Sequence, residues 1–334
     1  MLISIREDPT GLIEAIARDG ASASRTTVES LDRVARGAFL AELRSRTDDR
    51  FGKIIRTYIP GEKFSSISVT GTNCDLGCKH CDRKYLHGMV PATTPDELDR
   101  VLRQIEAGGG EGALVSGGST REGIVELQAF HGVLASIKQT TSLKLNLHVG
   151  LIDKQAAESL YAAGIDEISL DVVGDDATIQ DVYGLQKSVT DYMSIIENLM
   201  VAGFTNEQIV PHICIGLHFG EIRGEYAALD LIKPLDPRLI AFIVLIPPKT
   251  IGVQFTLVSP DDVRNVIATA RALYPDADLS LGCMRPGGSI RISYDLAAFD
   301  AGITRIALPT KGFLTRATSR GYTVEAFSHC CTMD

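Results

Sequence analysis

Three thiols stand within eight residues in Cys74-Asp75-Leu76-Gly77-Cys78-Lys79-His80-Cys81, just after the alternating run Ile67-Ser68-Val69-Thr70. Thiolates so spaced can converge on one soft metal centre, and they select zinc, copper(I) or iron–sulfur clusters over hard cations. A CxxC pair alone fits a zinc knuckle or a redox dithiol. The third Cys has no fourth Cys or close His to complete a zinc-finger pattern, so one coordination position stays open. An open position points to catalysis, with a structural metal loop or reduced surface thiols as the plainer alternative. A second set comprises Cys283, in Gly282-Cys283-Met284-Arg285-Pro286, and the adjacent pair Cys330-Cys331. Neighbouring cysteines rarely bond to each other, because that disulfide strains the intervening peptide. Cys214, inside Ile213-Cys214-Ile215, reads as a small buried hydrophobe.

The elements that must hold these groups alternate. β-rich runs fall at Ser66–Thr70, Gly112–Ser116, Ser142–His148, Asp166–Asp171, Ile209–Ile215, Leu239–Leu245, Asp278–Gly282 and Thr304–Leu308. Helical spacing occupies about 95–107, 123–138, 153–163, 188–202, 222–232, 259–273, 293–300 and 310–320. Eight βα units argue for an α/β (β/α)8 TIM-type barrel rather than an open doubly wound sheet. Residues 8–47 add two amphipathic helices broken at Gly20 to Ser24, so the division is a helical extension (1–60), a barrel (61–320) and a tail (321–334) long enough to close over the barrel mouth. In such a barrel the loops after the strand C-termini carry the chemistry. The Cys loop, Gly117-Gly118-Ser119, His148, Asp171, His212, His218, Cys283 and Arg285 all fall there.

The chain has 334 residues, 45% hydrophobic and 22% charged, which suits a sizeable core. A net charge of −9 without a basic stripe argues against nucleic-acid binding. No apolar run reaches 18 residues and the first eight residues lack a signal-peptide pattern, so a cytoplasmic protein without membrane attachment is expected. Seven cysteines in such a chain fit reduced thiols and metal ligands.

The CxxxCxxC loop after the first barrel strand resembles the signature of the radical S-adenosylmethionine (SAM) superfamily, with His80 in the slot where an aromatic residue is common. The resemblance implies that Cys74, Cys78 and Cys81 hold a 4Fe–4S cluster whose fourth iron binds SAM, and that reduction yields a 5′-deoxyadenosyl radical able to take hydrogen from an unactivated carbon. Ser116, Gly117 and Gly118 lie where the family has a Gly-Gly-Glu type motif for the SAM amino group, with Ser119 replacing the Glu. Asp171 matches an acidic position that binds the ribose hydroxyls, and is read equally as a turn or helix cap. Asn146 and His148 are expected at the same mouth, and Gly216 to Glu221 loosely resembles the adenine-supporting stretch. His212 and His218 read singly as structural histidines.

From about residue 60 to 334 the chain resembles the biotin synthase-related proteins that include the archaeal-type, two-protein lipoyl synthase. That resemblance implies an auxiliary iron–sulfur cluster on Cys283, Cys330 and Cys331, the alternative being a reactive or frayed tail. It implies sulfur insertion into an octanoyl chain on a lipoyl carrier protein, a second radical SAM paralogue as partner, and a ferredoxin or flavodoxin as electron donor. Arg285 is the catalytic candidate, as a guanidinium fork to steer a carboxylate or contact that cluster. Rival readings are a radical SAM mutase, methylase or C–C bond former, and a non-enzymatic iron–sulfur scaffold.

Overall fold

The computed structural model describes residues 8–249 and 252–333; residues 1–7, read above for a signal, lie outside the described residues. Three helices, one more than the sequence spacing suggests, open the chain: α1 (Pro9–Asp19), α2 (Ala21–Glu29) and α3 (Arg33–Phe51). Gly20 at φ +97° ends α1, a conformation that costs a residue without Cβ little. The carboxylate of Asp230 caps α2, accepting the amides of Ala21 and Ser22 at 2.8 Å each. Buried Arg44 in α3 donates to the carbonyls of Phe299 and Ile303 at 3.3 and 2.9 Å, so the extension is docked on the barrel by hydrogen bonds as well as by Leu12, Ile16, Phe39 and Leu43.

Eleven strands form one sheet: β1 (Ile54–Tyr58), β2 (Phe64–Ser68), β3 (Val90–Pro91), β4 (Gly112–Ser116), β5 (Lys144–His148), β6 (Glu167–Asp171), β7 (Ile209–Ile215), β8 (Leu239–Val244), β9 (Asp278–Leu281), β10 (Arg305–Ala307) and β11 (Thr323–Phe327). Their order is β11-β1-β10-β9-β8-β7-β6-β5-β4-β2-β3, with parallel pairing throughout. All eight expected strands are present in sequential order, β2 and β4 to β10, the order of a singly wound barrel and not of a doubly wound sheet. Strands β1, β3 and β11 are additions, so the sheet takes in a strand from the segment read as helical extension and another from the tail.

Helices cover the outer face at Pro95–Ala107, His131–Thr140, Lys154–Ala162, Val189–Ala202, Glu225–Leu231, Pro260–Leu273, Arg291–Asp300 and Lys311–Ser319. The first shows why its start is sharp: Thr94 accepts the Glu97 amide at 3.3 Å while Glu97 accepts the Thr94 amide at 3.2 Å, a reciprocal cap. The helix expected from residue 123 begins only at His131. Gly123 has φ +85°, Ile124 bridges Gly150, and the Val125 amide donates to Val149, so residues 123–127 build a wall beside β5 instead of a helical turn.

The two sheet edges are not strand-paired among the described residues. Ser328 after β11 instead donates to Glu111 before β4 at 2.6 Å. The tail then closes the barrel by entering it: Asn146 in β5 donates to Thr332 at 3.0 Å, and Arg305 in β10 donates to the Met333 carbonyl at 3.0 Å. A segment that meets β5 and β10 within two residues lies on the concave side of a curled sheet. No helix among the described residues is long and apolar enough to cross a membrane.

Candidate active site

The loop after β2 is shaped by turn geometry: Gly77 has φ +63°, and Asp82 and Arg83 are also left-handed at +48° and +60°. Amides of Cys81 and Asp82 return to the Cys78 carbonyl at 3.1 and 2.9 Å, and the Lys79 amide reaches Val182 O at 2.9 Å, anchoring the loop to the segment after β6. Cys74, Cys78 and Cys81 are free, half-buried, and line one cavity of about 280 Å³ with Ser116, Gly117, Gly118, Ser119, His148 and Asp171. Loops after four successive strands in the sheet, β2, β4, β5 and β6, thus deliver their residues to one place. Among the described residues no group of three or more His, Cys, Asp or Glu stands in a closed metal-ligand arrangement, the first Cys set included.

The two glycines are packed against the Cys loop. A Cβ on Gly118 would run into the Asn73 carbonyl and come within 2.6 Å of the Cys74 Cβ; one on Gly117 would come to 3.1 Å from Thr70. Gly118 is therefore needed for the approach of two backbones, a reason distinct from making room for a ligand. Ser119, in the position read as a lost Glu, serves through its backbone: its amide donates to Cys74 Sγ at 3.4 Å and its carbonyl accepts the Asp75 amide at 2.9 Å. Ser116 Oγ donates to the His148 carbonyl at 3.0 Å, joining β4 to β5 at the rim.

Asp171 and His148 form an ion pair, Oδ1 to Nε2 at 3.5 Å, deep in the protein, with about a third of each side chain open to the cavity. Burial works to raise the Asp171 carboxyl, but His148, His212 and His80 outweigh it and hold it at about 2. Burial likewise opposes the charged form of His148, and Asp171 overcomes it, raising its imidazole above the usual value. His212, whose ring centroid is 5.9 Å from that of His148, is pushed down to about 4 by burial and by His148; its Nδ1 lies 3.0 Å from the Val210 carbonyl. The site thus presents an ionised carboxylate able to accept two hydroxyl donors, beside one imidazole biased toward its charged form and one held neutral.

A pH dependence follows. Between pH 6.5 and 4 an unfolded chain protonates His212 while the folded protein resists, so folding stability falls with pH in that window. We expect His212→Phe to remove about 3 kcal/mol of that loss, at about 1.4 kcal/mol per pH unit. Urea denaturation of iron-free protein across this range checks it, and equal slopes for the two proteins would refute it.

The structure separates other candidates from this cavity. Asn146 is buried below it, hydrogen-bonded to Glu167 and Thr332, so it braces the tail instead of lining the mouth. Arg285 has a wholly buried side chain whose donors go to Asp295 at 2.9 Å and to the carbonyls of Gly282 and Leu308 at 2.5 and 3.2 Å. Three of its five N–H donors are so engaged and the side chain is wholly buried, which supports a structural role over the catalytic one. His218 is held by Thr178 at 3.1 Å and lies 3.4 Å from Arg223, while Cys214 packs among core hydrophobics. Tyr183 and Tyr192 line the cavity without having been legible: Tyr183 ends a single π-helical turn, Ile179–Tyr183, that has no periodic signature.

The second Cys set gathers partly. Cys330 and Cys331 pack with Tyr58 and Ala307, Cys330 Sγ accepts from Thr332 at 3.2 Å, and Cys283 is close enough to raise the Cys331 thiol electrostatically, in addition to the larger effects of its Cys330 neighbour and of burial. Cys283 itself is exposed.

Residues 68–226, containing the Cys loop, the Gly-Gly turn and Asp171, match the family model for the radical SAM superfamily. That stretch is a radical SAM domain. The chain is 24% identical over 229 residues to a biotin synthase of Geobacter metallireducens, an alignment covering 65% of this chain and 66% of that relative, just under two thirds of its length. Similar solved folds include HydG, a maturase of the FeFe-hydrogenase (TM-score 0.69, 16% identity, 97% of this chain and 77% of that one) and methylornithine synthase, PylB (0.62, 13%, 94% and 97%). At these identities the likeness is one of fold.

The residues fit what a radical SAM protein must hold. Three free thiols face one cavity; the buried Nδ1 of His80 beside them has no protein partner; and an ionised carboxylate stands across the same space. Cys74, Cys78 and Cys81 would hold the 4Fe–4S cluster, and the Gly117 and Gly118 backbone with Asp171 would receive the amino-acid and ribose ends of SAM.

Proposed function

We propose that this radical SAM enzyme inserts sulfur into an unactivated C–H bond of an octanoyl chain carried on a lysine of a lipoyl carrier protein, together with a second radical SAM paralogue and a ferredoxin or flavodoxin as electron source. When bound, the cluster and SAM supply the radical that abstracts hydrogen. The chain's own part is to fix Cys74 against the Gly-Gly turn, present the Asp171 carboxylate, and keep water away with Leu76, Tyr183, Leu185 and Tyr192. The observation that supports the sulfur reading is the packing of Cys330 and Cys331 against Tyr58 and Ala307, at the ends of β1 and β10, with β10 paired to β9, after which Cys283 lies. A tail with no such duty has little reason to bring a cysteine pair into the barrel interior.

The test is anaerobic turnover with an octanoylated carrier, SAM and reductant, reading deoxyadenosine and carrier mass. Sulfur added by the unmodified protein, alone or with its paralogue, and lost in Cys283→Ala with deoxyadenosine formation retained, is the expected result. SAM cleavage with no sulfur gained under either condition would remove the sulfur reading and favour a mutase, methylase or C–C bond former. Absence of SAM cleavage by a fully reconstituted protein would favour a scaffold.

A further inference from the structure

Thr70 belongs to no recognised motif, yet its hydroxyl joins the two loops that make the site. It has one proton and two lone-pair positions. Oγ1 accepts the Gly118 amide at 2.7 Å and donates to the Asn73 carbonyl at 2.9 Å, the residue before Cys74. The contact runs on without a gap: Gly118 leads to Ser119, whose amide donates to Cys74 Sγ and whose carbonyl accepts the Asp75 amide. Behind Thr70, fully buried Ser68 Oγ holds the Gly71 carbonyl at 2.7 Å and keeps the turn in place.

We infer that Thr70 is a positioning residue that latches the Gly117-Gly118 turn to the cluster loop, and so sets both the register of SAM against the cluster and the N–H···S bond to Cys74. Three observations support this. Gly118 is buried, and a Cβ there would collide with Asn73 and Cys74, so the turn is packed directly on the cluster loop that Thr70 holds. The Gly118 amide has no strand partner, because β4 ends at Ser116. An N–H donor to a cluster sulfur raises the potential of that cluster, so a turn released from Thr70 should alter an electronic property as well as a shape.

The inference rests on the radical SAM assignment and is independent of sulfur insertion. Thr70→Val keeps the shape and removes the hydroxyl; Thr70→Ser keeps the hydroxyl and removes the methyl. After anaerobic reconstitution to equal iron content, Thr70→Val is expected to bind SAM about tenfold more weakly, the usual consequence of stranding one buried donor. The midpoint potential of its cluster, titrated without SAM and followed by electron paramagnetic resonance, should move to more negative values. Thr70→Ser should restore both. Wild-type affinity and potential in the valine variant would overturn the inference, as would equal impairment of the valine and serine variants, which would assign the effect to packing of the methyl group. If the valine variant does not fold by circular dichroism, Thr70→Ala, which adds no bulk, takes its place under the same criteria. A wild-type protein that binds neither cluster nor SAM would sink the site assignment itself, which separates that failure from failure of the Thr70 latch.

Discussion

The Cys74→Ala/Cys78→Ala/Cys81→Ala variant, reconstituted anaerobically, is expected to form no deoxyadenosine and yet to retain about four irons per chain, the content of one 4Fe–4S cluster. The first half follows from the geometry: these are the thiols that line the cavity with the Gly-Gly turn and Asp171. With them gone no iron is left to chelate SAM, so the loss of activity should be complete. The second half tests Cys283, Cys330 and Cys331, which approach one another but are not drawn into a closed ligand set. Iron and sulfide analysis with Mössbauer spectroscopy reads both. Loss of essentially all iron would mean one cluster, and sulfur insertion would give way to an ordinary radical SAM reaction.

Arg285→Met is expected to be among the most destabilising single substitutions at the rim. The Arg285 and Asp295 side chains are both fully buried, and Asp295 also accepts the Thr310 amide at 2.9 Å. Removing the guanidinium strands a carboxylate in the interior, at a cost of about 3–5 kcal/mol, whereas replacing both partners costs far less. Arg285→Met/Asp295→Asn keeps an acceptor for Thr310 and should recover more than half of the loss in urea unfolding. If Arg285→Met unfolds like the unmodified protein but no longer turns over, the guanidinium acts in the chemistry after all and its structural reading is wrong.

The eight barrel strands were legible because each is a short β-rich run beside Gly, Pro or helical spacing, as buried parallel strands are. Strands β1 and β11 were not. Arg56 and Glu325 interrupt them, and only their parallel pairing shows that those two charges face each other, Nε to Oε2 at 3.8 Å. The wall at residues 123–127 has helix-like spacing, but Gly123 and the bridge to Gly150 decide otherwise, and that partner lies across β5. The Cys motif revealed the site because its spacing is itself chemistry. Thr70 did not stand out, since a threonine after a strand is ordinary until its hydroxyl is seen between Gly118 and Asn73. The ion pair of Arg285 was hidden for a related reason: sequence shows the guanidinium two residues from Cys283 and conceals the carboxylate supplied by the next helix.

The placement of β1 also bears on the order of events during synthesis. Among the described residues its strand neighbours are β10 and β11, so Arg56 leaves the ribosome long before Arg305 and Glu325 exist to pair with it. Parallel pairing across nearly the whole chain is slow to form, and nascent strands left waiting are prone to wrong partners. The helices immediately upstream, α1 to α3, pack on Pro260–Leu273, a contact that can form before the last strands arrive. Cys330 and Cys331 emerge later still, so whatever assembles at the second cysteine set does so on a barrel whose first metal loop has already been made.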